Sequence, residues 1–168
     1  RKITRKEIEA TMARVRRKLP DVSWRTTFIV GFPTETDQDF EELVDFVSEG
    51  HFQHLGIFLY SDEDNIRSSK FGDPIPLSLK EERKNRLMEI QQKISREHHQ
   101  KMVGSLQQVL VGGFSSETDL LLEGRNQYQG PEVDGVVYIN EGNATSAGFH
   151  QVEITEAHEY DLVGKILN

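Results

Sequence analysis

The sequence predicts an α/β unit, helix–strand–helix–strand with a long helix after it, joined to a small all-β barrel of five antiparallel strands. Three observations predict it. Apolar residues recur at helical spacing in three stretches before residue 101. Two runs rich in β-branched and aromatic residues separate those stretches, so strands and helices alternate. From residue 103 onward, short apolar segments follow one another with glycine turns between them. The 168 residues divide on this reading into 1–101 and 102–168.

Thr4-Arg5-Lys6-Glu7 is a capping box, in which the threonine oxygen accepts an early amide and the glutamate reaches back. Ile8, Met12 and Val15 give the first helix its apolar face. Arg14, Arg16, Arg17 and Lys18 fill its end, where cations favour the dipole, and Pro20 stops it. Trp24 to Val30 reads as a buried strand, and Gly31 to Thr36 as a turn. Thr36 caps a second helix from Asp37, with Asp39 completing the box and Phe40, Leu43, Val44 and Val47 on one face. Gly50 ends it, and Leu55 to Tyr60 reads as a second buried strand. Strand, helix and strand imply a parallel, right-handed crossover. Such a unit is too small to close a barrel by itself.

Residues 61–77 are polar, contain Pro74 and Pro76, and form a long loop. Ser78-Leu79-Lys80-Glu81 reads as a third capping box, opening a helix that ends near Lys101. Leu79, Leu87, Ile90 and Ile94 supply its apolar stripe. Five strands are expected after it, at 106–111, 120–123, 133–139, 150–154 and 162–167.

Charge divides at the same place. Residues 1–101 hold equal numbers of acids and bases. Residues 102–168 hold ten acids against Arg125 and Lys165, so the whole net charge of −8 lies there. A phosphate-bearing partner is disfavoured on that half, and a basic one favoured. The absence of cysteine excludes disulfides, thiolate metal sites and a cysteine nucleophile from these residues. No apolar run reaches the roughly 18 residues of a membrane span, and the first residues lack the apolar stretch of a secretory signal. The chain also opens without methionine, which suggests part of a longer protein.

Two strand ends are candidate sites, because α/β domains place ligands at the carboxyl ends of parallel strands. One is Gly31-Phe32-Pro33 with Glu35 beyond it, where glycine admits close approach and proline stiffens the turn. The other is the carboxylate run Asp62-Glu63-Asp64. His51, His54, His98 and His99 lack metal-ligand spacing and read as surface or internally satisfied residues. Asn143-Ala144-Thr145 matches a glycosylation sequon without other signs of secretion. The cationic run at 14–18 reads as a solvated helix end.

Several segments, in order, resemble one family. Thr26 to Thr36 followed by Asp39-Phe40, then Tyr60-Ser61, then Glu81-Glu82-Arg83 to Gln92, are similar to the late barrel of radical S-adenosylmethionine methylthiotransferases. Gly124-Arg125 with Pro131-Glu132-Val133-Asp134-Gly135-Val136-Val137 resembles the terminal, OB-like TRAM domain of the RimO branch. Thr34 stands where the family usually has glycine, and Asn65-Ile66 where Gly-Thr is common.

The resemblance implies the end of a partial TIM barrel at 1–101 and a TRAM domain at 102–168. It implies a cytoplasmic enzyme that adds a methylthio group to the β-carbon of an aspartate in small-subunit ribosomal protein twelve. S-adenosylmethionine and two 4Fe–4S clusters would serve the full-length enzyme. None of these is expected on this chain alone, which lacks the cluster cysteines and should be inactive. The Gly-Phe-Pro turn assigns Gly31, Phe32, Pro33 and Glu35 to the S-adenosylmethionine side of the barrel. The acidic TRAM residues Glu132, Asp134, Glu153 and Glu156 would dock the basic ribosomal protein, with RNA the less favoured partner and no membrane. A tRNA-modifying methylthiotransferase with an RNA-holding TRAM domain, and a non-catalytic binding module, are the alternatives.

Overall fold

The computed structural model describes residues 3–63, 68–143 and 147–167. Asp64, Asn65, Ile66 and the last two sequon residues, Ala144 and Thr145, lie outside the described residues. Two of the three capping boxes form as read. Thr4 opens α1 (Arg5–Lys18) and Thr36 opens α2 (Asp37–Ser48), each with the reciprocal bond to Glu7 or Asp39. Each box satisfies early amides that the helix itself leaves without partners.

Between and after these helices run β1 (Arg25–Val30) and β2 (His54–Leu59), paired in parallel from Arg25↔His54 to Val30↔Leu59. A short 3₁₀ turn (Ser69–Phe71) precedes α3 (Leu77–Gln100). Val30, Phe40, Val44, Val47, Ile57 and Leu87 close the core between the sheet, α2 and α3. Met12 carries α1 onto Phe46 and Phe52, and Phe28 meets both rings edge-on.

The strands are buried on one face only, which corrects the expectation of fully buried strands. Residues paired in a parallel sheet point to the same side. Helices cover the side of Phe28, Val30 and Ile57, while Ile29 is 56% and Phe58 64% exposed on the other.

α3 departs from its expected start and stripe. It begins after Pro76, without a side-chain cap, and the Pro76 carbonyl takes the amides of Leu79 and Lys80. Its buried row is Lys80, Arg83, Leu87, Gln91, Ser95 and His99. The spacing is helical, but every member except Leu87 is polar.

The remaining strands are β3 (Leu106–Phe114), β4 (Leu122–Asn126), β5 (Val137–Glu141), β6 (Gly148–Ala157) and β7 (Leu162–Ile166). They close in the order β3-β4-β5-β7-β6. The five-stranded barrel is as expected except at one seam, where β5 and β7 run parallel. Alternate residues Val109, Val111, Val137, Ile139, Val152, Ile154, Leu162 and Ile166 fill it. Met102 and Val103, just past α3, pack against this core and tie the helix to the barrel.

Candidate functional site

The corner at the carboxyl end of β1 is built from a turn and two buried cations. Phe32 carbonyl accepts the Glu35 amide at 2.7 Å, with Pro33 in the second position of that turn, where its fixed φ fits. Gly31 sits at φ +79° and donates its amide to Glu35 Oε2 at 3.0 Å. Arg83, from α3, holds the other oxygen of Glu35 at 2.5 Å and Asp37 at 2.6 Å. Its guanidinium also lies over the Phe40 ring, 5.1 Å from the centroid.

Lys80, 2% exposed, places its ammonium on the Tyr60 carbonyl at 2.8 Å and on both oxygens of Asp73. The end of β2 and the loop before α3 are thereby joined to one helix. A buried charge persists only where paired and hydrogen-bonded, and both cations meet that condition. The Phe32 ring caps the corner, edge-on to Tyr60 at 5.3 Å and Phe71 at 6.4 Å.

The corner therefore brings Gly31, Phe32, Pro33 and Glu35 together. Glu35 is a strut: Gly31 and Arg83 engage its two oxygens, and its side chain is 11% exposed. What the corner presents outward is the Phe32 ring, 37% exposed. Asp62 and Glu63 are exposed beyond the end of β2. Lys80 and Arg83 were missed as site residues from sequence. The available signal was their place in a helical row with Leu87, which a search for apolar stripes passes over.

The acidic candidates on the barrel separate. Asp134 has a side chain 6% exposed and pairs with Arg25 of β1. It also accepts the Gly130 amide at 2.7 Å, and His54 Nδ1 lies 3.2 Å away. Its carboxylate thus joins the barrel to the sheet. Glu132 is exposed and is the described non-glycine residue with positive φ, at 61°. Glu153 pairs with Lys165 at 3.3 Å, and Glu156 lies 4.0 Å from His158 with its side chain 63% exposed.

The histidines are used internally. His51 contacts Glu49 at 2.6 Å and Arg16 at 3.2 Å. His99, 4% exposed, donates Nδ1–H to the His158 carbonyl at 3.0 Å, since a carbonyl can only accept. Burial holds the His99 imidazole below its ordinary range, and burial followed by the neighbouring His99 does the same to His98. Among the described residues no three His, Asp or Glu side chains cluster as a metal site. Iron–sulfur clusters need thiolate ligands and the chain has no cysteine, so its residues do not fit either cluster. Among the described residues no helix is long and apolar enough to cross a membrane.

Comparison with known proteins adds identity to this geometry. Residues 103–167 match the model of the TRAM domain. Over 99% of its length the chain is 49% identical to the ribosomal protein uS12 methylthiotransferase RimO of Bdellovibrio bacteriovorus, of which it covers 36%. It is 44% identical over 98% of its length to the protein of the same name from Desulfotalea psychrophila, covering 37% of that chain. It is 42% identical over its full length to that of Syntrophotalea carbinolica, again covering 37%. The chain thus spans a little over a third of the length of the curated relatives it matches.

Proposed function

We infer, from a sequence that is RimO-type over nearly its whole length, that this chain supplies the last strands of a partial TIM barrel and the TRAM domain to a ribosomal-protein methylthiotransferase. The single observation that carries the reading is the half-covered sheet. Two parallel strands with helices on one face, and Ile29 and Phe58 bare on the other, fit a wall segment of a larger barrel, with the helices outside and the bare face toward its interior.

In that enzyme, S-adenosylmethionine would lie against the corner of Gly31, Phe32, Pro33 and Glu35. When bound it supplies the radical and methyl chemistry of the family. The chain's own part is to orient. The Phe32 ring offers an apolar edge, the Glu35 strut fixes the Gly31 amide, and Lys80 and Arg83 hold both strand ends to α3. The two 4Fe–4S clusters belong to cysteine-bearing residues beyond this sequence, so the chain alone is inactive. The reaction is methylthiolation of an aspartate in the small-subunit ribosomal protein named by the relatives, in the cytoplasm.

The acidic barrel docks that basic protein. Glu132, Glu153 and Glu156 carry the docking charge, while Asp134 is held by Arg25 and takes a joining role. The test replaces the matching third of the Bdellovibrio relative with this chain and measures methylthio transfer to ribosomal protein uS12 by mass. Transfer by the chimera and none by the isolated chain are expected. An active corner variant with Phe32→Ala and Arg83→Gln together would overturn the assignment of the corner. Unchanged salt-dependent binding after lysine replaces Glu132, Glu153 and Glu156 would overturn the docking role.

A further inference from the structure

A cleft opens on the seam between the two halves, away from both sites above. One wall is the linker Leu19–Ser23 and the other is the turn Gln127–Gly130, enclosing about 620 Å³. Four buried side-chain atoms at this seam have no hydrogen-bond partner among the described residues: Ser23 Oγ, Trp24 Nε1, Asn126 Nδ2 and Gln129 Nε2. Ser23 and Gln129 line the cleft itself, and Gln129 is 6% exposed. All four atoms can donate, and the three nitrogens can do nothing else. A buried donor left unmet is costly, so several in one place call for a partner.

The turn wall, by contrast, uses its acceptors internally. The Asn126 amide donates to Gln129 Oε1 at 3.0 Å, and the Tyr128 amide to Asn126 Oδ1 at 2.9 Å. These two bonds also settle which end of each carboxamide is the free one. The Asn126 carbonyl takes the Gln129 amide at 3.3 Å, and the Gly130 carbonyl takes the Asp134 amide at 3.3 Å. His54 Nε2 donates to the Tyr128 carbonyl at 2.9 Å, which fixes the turn to β2.

The rest of the lining, apart from Asp21, Gln127 and Gly130, is apolar or aromatic. Leu19 is 58% exposed, Pro20 is exposed, and Val22 and Tyr128 are half-buried. Unmet donors between apolar ribs suit a ligand that brings carbonyls and few N–H groups.

We propose that this cleft binds a proline-rich segment of a partner protein in the polyproline II conformation. Proline has no amide hydrogen, its ring is apolar, and the polyproline II helix leaves every carbonyl free to accept. Such segments dock between aromatic and apolar side chains, and their stiffness keeps the entropic cost low. An ordinary extended peptide brings an N–H at every residue, for which the turn wall has few acceptors left. A nucleic-acid strand needs cations on its phosphates, and the residues lining the cleft include none. This binding goes beyond the activity inferred above and uses none of the residues assigned to it, so either can fail alone.

The experiment is fluorescence anisotropy of labelled decaproline titrated with the protein, with a labelled glycine–serine decapeptide as control. Decaproline should bind and the control should not. Affinity should hold between about 50 and about 500 mM salt, since no ion pair is involved. Ser23→Ala removes a hydroxyl that the fold leaves without a partner. The urea midpoint should therefore hold while affinity falls roughly two- to twelvefold, the range of one neutral hydrogen bond. Tyr128→Ala should weaken binding about tenfold, as loss of an aromatic anchor does. Gln129→Glu keeps an acceptor for the Asn126 amide, replaces the free donor with a second acceptor, and should abolish binding. No binding of decaproline overturns the proposal. So does equal binding of the glycine–serine peptide, unchanged affinity in both Ser23→Ala and Tyr128→Ala, or displacement of decaproline by an RNA strand with no effect of Ser23→Ala.

Discussion

Replacing Gly31 by alanine tests whether α3 builds the strand-end corner. At φ +79° an L-residue pays roughly 1–2 kcal/mol for its backbone alone. The new Cβ would also stand 2.4 Å from Lys80 Cγ and 2.7 Å from Cδ, against the 3.4 Å at which ordinary contact begins. The lysine stem has to retreat by about an ångström, and its ammonium then leaves the Tyr60 carbonyl. A hydrogen bond to a charged group contributes roughly 1.5–3 kcal/mol, so Gly31→Ala should cost about 2.5–5 kcal/mol. In a Lys80→Ala background the obstacle is gone, and the same change should cost only the backbone term of about 1–2 kcal/mol. Urea unfolding followed by Trp24 fluorescence reads this directly, because Trp24 is the sole tryptophan and lies in the α/β half. Equal costs in the two backgrounds would refute the coupling of glycine to lysine, and with it the account of the corner.

Arg83→Gln leaves Glu35 without its guanidinium in a nearly buried pair, and should destabilise the same half by about 3–5 kcal/mol in that fluorescence assay. Burial keeps His99 neutral in the fold, so the unfolded chain binds more protons just below the ordinary value of 6.5. Stability should therefore be complete above that pH and decline as pH falls toward the lowered folded value; urea midpoints across pH should show this decline reduced in His99→Gln. Asp134→Asn removes the charge that Arg25 meets, and should shorten the rotational correlation time of the barrel measured by NMR as the two halves uncouple.

What the sequence made legible was local. The boxes at Thr4 and Thr36 involve partners three residues away, and both formed. The Ser78 box failed because Pro76, in extended geometry, starts the helix earlier and lends its own carbonyl. The barrel strands were found because short apolar segments recur between glycine turns. The parallel seam between β5 and β7 was not, since an apolar segment carries no mark of the direction in which its neighbour runs. The corner's strand-side residues were visible through a glycine–proline turn after an apolar run. Lys80 and Arg83 were hidden because their partners, Asp73, Tyr60, Glu35 and Asp37, are fixed only once the chain has folded back.

The segment Pro131–Gly135 turns one of its two carboxylates inward and the other out to solvent. Asp134 is drawn inward by the Gly130 amide and by Arg25, while Glu132, two residues earlier, faces solvent at φ 61°. Gly135 leaves the loop no slack, since a Cβ there would lie 1.8 Å from the Tyr160 carbonyl oxygen. A strained residue persists where its surroundings over-determine it, and here the anchors on either side do so. Glu132→Gly relieves roughly 1–2 kcal/mol of backbone cost and adds about 0.5–1 kcal/mol of lost chain entropy, for a net gain near 0.5–1 kcal/mol. The same change removes a carboxylate to which the docking proposal gives a role. Thermal stability of the barrel should therefore rise, while under the docking proposal salt-dependent affinity for ribosomal protein uS12 falls. If both fall together, Glu132 is held by contacts rather than strained by its neighbours, and the division of charge within this loop is wrong.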